Sequence, residues 1–212
     1  MMTKLLMRLT PQQGIVLYYL VAIFISFLLL RIPYVHKEGI TIPYIDSLFV
    51  AVSGISVTGL SPVSIVDTYS IFGQMMIIFI LNLGGIGVMA MGTLLWVILG
   101  KKIGMRERQL IMVDHNQNKM SGVVTLILEI VKTMLAIELF GALLLAFYFY
   151  KDMDSVTAAL FHGLFAAVSA TTNGGLDITG DSLNSYADDY FVQTITMFLV
   201  VLGAIGFPVI IE

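Results

Sequence analysis

The sequence predicts an all-α membrane protein made of two parallel copies of one unit. Each copy is a spanning helix, a half-helix that re-enters the membrane, an extended return segment and a second spanning helix. Three observations predict this. The 212 residues are 58% hydrophobic and 12% charged, about half the charge of an ordinary soluble domain. The apolar residues collect in four stretches long enough to cross a bilayer. The chain also aligns with itself at a nearly constant offset.

A hydrocarbon core about 30 Å thick needs about 20 apolar residues of helix. The first stretch is Gly14–Ile32, preceded by Lys4 and Arg8. It is longer than a signal-peptide core and no small-x-small cleavage site follows, so it is read as a retained helix. The second lies between Asp67 and Lys101, with no charge between them. The third is Gly122–Tyr150 and the fourth Tyr190–Ile211, uncharged until Glu212.

Two shorter uncharged pieces, Ser47–Val66 and Ser155–Leu176, lie between stretches one and two and between three and four. Each is apolar for about ten residues, then turns to Ser, Thr, Gly and Asn. Ten helical residues reach about 15 Å, half the bilayer. Such pieces read as re-entrant, and irregular backbone at that depth must be buried in protein or line a wet cavity. The half-helices are expected at about Pro43–Ser53 and Asp154–Ala170. Pro43 stands near a first helical position, and Asp154 or Ser155 serves as N-cap.

The internal match is specific. At an offset of 116, residues 46–60 lie over 162–176 with seven of fifteen pairs identical: Leu48/Leu164, Phe49/Phe165, Ala51/Ala167, Val52/Val168, Ser53/Ser169, Gly59/Gly175 and Leu60/Leu176. At an offset of 119, Gln74 lies over Gln193, and Leu83-Gly-Gly-Ile-Gly87 over Leu202-Gly-Ala-Ile-Gly206. Two copies in the same sense place their re-entrant segments around an axis along the membrane normal, which favours a pore over the inverted repeats of many carriers. The units are residues 1–100 and 122–212, joined by a linker at 101–121.

Charge sets the expected orientation. Lys4, Arg8, Lys101, Lys102, Arg106, Arg108 and Lys119 fall before stretch one or between two and three. The positive-inside rule puts them, and the N-terminus, in the cytoplasm. The opposite side carries Glu38, Asp46, Asp67, Asp152, Asp154, Asp177, Asp181, Asp188 and Asp189. Those acids either concentrate cations at an entrance or simply solvate the outer loops. The net charge of −3 gives no case for nucleic acid, and with no cysteine there is no disulfide and no thiolate metal site. His36, His115 and His162 are scattered, no catalytic side chains cluster, and no organic cofactor motif is present, so an enzyme is not expected.

The candidate site is the pair of return segments, Ser56-Val57-Thr58-Gly59 and Thr172-Asn173-Gly174-Gly175. Neither holds an ionised side chain. Backbone carbonyls with Ser and Thr hydroxyls can replace the water shell of a monovalent cation, whereas a divalent ion favours carboxylates. The negative ends of the half-helix dipoles would face the ion. The bland reading is a pair of Gly/Ser loops that let helices approach closely; two aligned copies favour the ion site. Elsewhere, Glu138 within stretch three is either a functional intramembrane acid or a carboxyl bonded to another helix. Glu129 and Lys132 read as an ion pair on one helical face. Gly84, Gly85 and Gly87 serve as hinge or close packing. Asn82 lines a pathway or bonds a neighbour.

Ser56-Val-Thr-Gly-Leu60, Phe72-Gly-Gln74 and Leu83-Gly-Gly-Ile-Gly87 resemble the first membrane-pore-membrane repeat of Ktr-type potassium transporters of the Trk/Ktr/HKT superfamily. Gly100-Lys-Lys-Ile-Gly-Met-Arg-Glu-Arg108 looks like their cytoplasmic link. Ile137-Glu138, Leu160-Phe-His162 and Asn173-Gly-Gly175 are similar to their second repeat. The resemblance implies half of a four-repeat, potassium-channel-like fold: four transmembrane helices and two re-entrant pore helices, with Gly59 and Gly175 as filter glycines. It implies K+ uptake in a bacterial plasma membrane, Na+ as a coupling ion in many members, a homodimer, and a cytoplasmic nucleotide-binding ring as partner. The third repeat, which carries a gating loop in the family, is missing, so the chain is expected to be a fragment. Gly174 stands where many members have alanine. The competing classes are a sodium-coupled carrier for a small solute, which would need a charged recognition group in these segments, and a non-transporting membrane scaffold.

Overall fold

The computed structural model describes residues 10–98, 100, 103–114, 122–153 and 155–211. Lys4, Arg8, Lys101, Lys102, His115, Lys119 and Asp154, which enter the sequence reading above, lie outside them. The described residues are helical, without extended strands.

Helix α1, Pro11–Leu30, begins in a capping box: the Thr10 hydroxyl accepts from Gln13 N–H, and the Gln13 side chain accepts from Thr10 N–H. Both bonds satisfy donors that a helix start leaves open. At its far end, Arg31 donates to the Ile42 carbonyl (2.8 Å) and Ser47 Oγ (3.3 Å) and lies over the Tyr44 ring. That clamp ties the connecting loop to the start of α2, Tyr44–Ile55, whose N-cap is Pro43. A one-turn helix α3, Ile65–Thr68, leads to α4, Ile71–Ile86, capped by Ser70. Helices α5, Val88–Ile98, and α6, Met105–Asp114, follow. Helix α7, Val123–Phe149, runs for 27 residues. Then come α8, Val156–Thr171, α9, Tyr190–Ile205, and α10, Phe207–Ile211.

Two helices, Gln12–Leu30 within α1 and Val123–Phe149, are long and apolar enough to cross a membrane; α2, α4, α8 and α9 are shorter apolar helices. Long apolar faces are left uncovered: Leu20, Phe24 and Leu28 on α1, Leu139, Phe140, Leu143 and Phe147 on α7, and Met197, Phe198, Val201 and Ile205 on α9. Unbroken faces of this kind suit lipid rather than water.

The second and fourth stretches differ from the continuous helices expected. Each breaks once, at Gly87 (φ 96°, ψ 134°) and at Gly206 (φ 90°, ψ 130°). These backbone angles lie outside the helical well, so the hydrogen-bond ladder stops and the chain restarts in a new direction. The two breaks are 119 positions apart, the sequence offset itself. The ends of α4 and α9 share that offset, while α2 and α8 end 116 apart.

Packing is close where the helices have no side chain. A Cβ on Gly163 of α8 would stand 2.5 Å from the Ala142 carbonyl oxygen of α7. A Cβ on Gly84 of α4 would stand 2.5 Å from the Gly54 carbonyl oxygen and 2.6 Å from that of Ile55. A Cβ on Gly85 would stand 2.7 Å from the Thr172 side chain, at the C-cap of α8. Small residues let helix backbones approach where apolar burial alone does not drive association. Gly84 and Gly85 therefore serve close packing, and Gly87 makes the break.

Glu138 of α7 is 3% exposed, and the Asn82 side chain of α4 lies alongside it. Asn82 Nδ2 also donates to the Ile78 carbonyl at 3.2 Å. Asn82 thus faces a neighbouring helix. Glu129 and Lys132 form the expected pair, 3.8 Å apart and largely exposed, and such a pair contributes little. At the other end of α7, the Tyr148 hydroxyl donates to Asp189, whose second oxygen caps α9 through Phe191 and Val192 N–H.

Gly84→Ala is expected to destabilise the full-length protein by about 1–3 kcal/mol, because backbone rather than a flexible side chain occupies the space. Gly92→Ala is the control, with nothing within 4 Å of the added carbon. Equal thermal midpoints for the two variants in detergent would refute the close contact of α4 with the end of α2.

Candidate functional site: two return segments in backbone contact

The last turns of helices α2 and α8 are buried, and the chain leaves each by the same sequence of turns. After α2, Ser56 N–H bonds the Val52 carbonyl (2.8 Å) and Thr58 N–H bonds that of Ser53 (2.9 Å). After α8, Thr172 N–H bonds Val168 (2.9 Å) and Gly174 N–H bonds Ser169 (2.7 Å). The hydroxyls repeat the pattern: Ser56 Oγ and Thr172 Oγ1 each donate to the carbonyl four residues back at 2.7 Å.

Backbone handedness follows the same offset. Val57 (φ 54°) and Asn173 (φ 59°) are left-handed without being glycine, and Gly59 (φ 78°) and Gly175 (φ 65°) follow two residues later. A β-branched valine in that region is uncommon and costs on the order of 1–3 kcal/mol, so the surrounding structure must impose it. Alternating handedness makes a concavity of amide N–H groups that would otherwise attract an anion. Here those N–H groups are consumed by the carbonyls of Ser53, Gly54, Ser169 and Ala170. The carbonyls of residues 56–59 and 172–175 accept no hydrogen bond among the described residues.

The segments meet. A Cβ on Gly59 would stand 2.7 Å from the Gly174 carbonyl oxygen and 3.0 Å from Gly175 Cα, and one on Gly175 would stand 3.1 Å from Gly59 Cα. The contact is backbone on backbone and exists only because both residues lack a side chain. Ser56 and Thr58 are exposed, and their hydroxyls lie 2.7 Å apart. Thr172 and Gly174 are buried, and Gly175 is exposed. The structure therefore brings together the two ends at Gly59 and Gly174–Gly175. Glu138 lies in a different place, at the α4–α7 contact.

Two supporting residues were not singled out from sequence. Ser53 Oγ accepts from Leu60 N–H at 3.0 Å, and Ser169 Oγ donates to the Leu176 carbonyl at 2.5 Å. Each hydroxyl braces the returning chain against its own helix across the whole segment. The signal was present, since Ser53 and Ser169 are one of the identical pairs.

Chemically, the site offers neutral oxygen. Among the described residues, no group of three or more His, Asp or Glu is placed to hold a metal. The nearest acid in sequence, Asp177, spends one oxygen on its own turn. Oδ2 accepts from Thr179 N–H (3.0 Å), Thr179 Oγ1 (2.6 Å), Gly180 N–H (3.1 Å) and Ser182 N–H (3.2 Å). Uncharged carbonyls at the negative ends of two helices suit a monovalent cation stripped of water.

Comparison with known proteins agrees with this chemistry. A family model described as TrkH, cation transport protein, matches residues 8–212. The Ktr system potassium uptake protein D of Bacillus subtilis is 51% identical over 209 residues, which cover 99% of this chain and 46% of that protein. The Ktr system potassium uptake protein B of the same organism is 35% identical over 205 residues, covering 97% and 45%. The potassium/sodium uptake protein NtpJ of Enterococcus hirae is 31% identical over 202 residues, covering 95% and 45%. The chain spans about half the length of the curated relatives it matches. With a family model covering almost its entire length, this chain belongs to the TrkH family of cation transport proteins.

Proposed function

We propose that this chain forms half of the ion-translocating subunit of a Ktr-type potassium uptake system, and that residues 56–59 and 172–175 are two of the four walls of its selectivity filter. The observation that carries the reading is the backbone contact of Gly59 with Gly175, in two segments whose carbonyls accept no hydrogen bond among the described residues. In this reading α1, α2 and α4–α5 form one membrane-pore-membrane repeat, and α7, α8 and α9–α10 form a second in the same sense. Helices α2 and α8 are the re-entrant pore helices. The N-terminus is cytoplasmic, and residues 101–121 form the cytoplasmic linker.

K+ is the transported ion. Two relatives are named potassium uptake proteins, and neutral carbonyl cages favour a large, weakly hydrated monovalent ion. Na+ as a second, coupling ion draws on the potassium/sodium uptake protein of Enterococcus hirae. A homodimeric assembly on a cytoplasmic nucleotide-binding ring completes the system. A carrier for an organic solute fits less well, because the segments contain no charged side chain to recognise one.

Glu138 belongs to the helix packing in this reading. Its carboxyl lies beside Asn82, one turn from Gly84 and Gly85, where α4 presses on the ends of both pore helices.

Two outcomes are expected in the full-length protein. Gly59→Ser places an atom where the Gly174 oxygen and Gly175 Cα already stand, and should narrow K+ over Na+ preference on the order of tenfold, equivalent to about 1.4 kcal/mol. An unchanged preference in paired flux measurements would remove Gly59 from the filter. Glu138→Gln should preserve both membrane abundance and uptake, since an amide can still bond Asn82, whereas Glu138→Leu should lower abundance. Uptake lost at normal abundance in Glu138→Gln would instead put the carboxyl on the ion path.

A further inference from the structure

Asn173 does something that its counterpart Val57 cannot. With its amide oriented by its partners, Nδ2 donates to the Val200 carbonyl and Oδ1 accepts from Ala204 N–H, both at 3.2 Å. Val200 and Ala204 are four residues apart in α9, the two ends of one helical rung. A side chain engaging that ladder is one of the few physical causes of a helix bend. Two residues later α9 has ended, and Gly206 adopts its non-helical angles. Gly203 admits the amide: a Cβ there would collide with the Thr171 carbonyl oxygen and stand 2.8 Å from the Asn173 side-chain amide. Asn173 also tolerates its left-handed backbone better than most residues. One residue thus holds the turn of the segment and grips the helix beside it.

We propose that Asn173 is a positioning residue that fastens the second filter segment to the end of α9, so that the carbonyl geometry at Gly174–Gly175 and the break at Gly206 are set together. The proposal rests on the filter reading above. It makes the two segments unequal: the first is held by its own helix, the second by its own helix and by α9. A displacement of α10 about Gly206 would reach the filter through this amide, with no counterpart through Val57.

The test uses the full-length protein in nanodiscs and proteoliposomes. Asn173→Gly keeps the left-handed turn at no steric cost and removes both bonds. Hydrogen exchange at the Ala204 amide should quicken by about tenfold, and K+ over Na+ preference should fall by about fivefold, in line with the loss of one or two hydrogen bonds. Gly59→Ser is measured alongside. If Gly59→Ser alters the preference and Asn173→Gly does not, the coupling is wrong and the filter stands, even where Ala204 exchange has quickened. If neither alters it, the filter reading fails and the coupling fails with it. Should Asn173→Gly not accumulate, Gly203→Ala crowds the same amide from the α9 side. An unchanged preference in that variant would overturn the proposal equally.

Discussion

A peptide group placed in hydrocarbon must find partners for both its N–H and its C=O, because no water is present to supply them. In the proposed re-entrant arrangement, segments 56–59 and 172–175 meet part of that demand. The amides of Val57, Thr58, Asn173 and Gly174 fold back onto the last turns of α2 and α8, and among the described residues the carbonyls accept no hydrogen bond. In the proposed filter a cation would supply the partner that such carbonyls lack. The rest of the described structure serves to hold that half-satisfied backbone in place. The left-handed turns at Val57 and Asn173 direct the amides inward, Ser53 and Ser169 brace the returning chain, and the Gly59–Gly175 contact sets the spacing.

Glycine acts here in two distinct physical roles. At Gly84, Gly163 and Gly203 it supplies room, letting helix backbone touch helix backbone. That contact substitutes for the hydrophobic drive that lipid removes. At Gly87 and Gly206 it supplies backbone freedom, ending one helix so that another can start at a new angle. The first role packs the frame around the segments closely, and the second puts a break at the C-terminal end of both α4 and α9.

Much of the fold was legible because the bilayer restricts what a sequence can mean. The lengths of α1 and α7, the half-length of α2 and the Glu129–Lys132 pair follow from apolar run length and spacing. The offset of the sequence match paired the ends of α2 and α8, which fall at Ile55 and Thr171 against the expected Ser53 and Ala170. Other features were out of reach. An uncharged run between Asp67 and Lys101 gives no sign of a break, since glycine in a membrane helix packs more often than it interrupts. Asn82 and Glu138 are 56 positions apart, so their meeting depended on how α4 and α7 cross. Val57 is the sharpest case, because valine resists the conformation that the fold requires of it.

The sequence by itself determined the apolar surroundings, the helical class and the pairing of two uncharged segments, since composition, charge and self-similarity are properties of the chain alone. The tertiary structure decided that Gly59 and Gly175 touch, that the amides of Val57, Thr58, Asn173 and Gly174 turn back onto their own helices, and that Asn173 reaches α9. Those outcomes depend on distances between residues far apart in the chain, set by the packing of whole helices, and no local pattern encodes them.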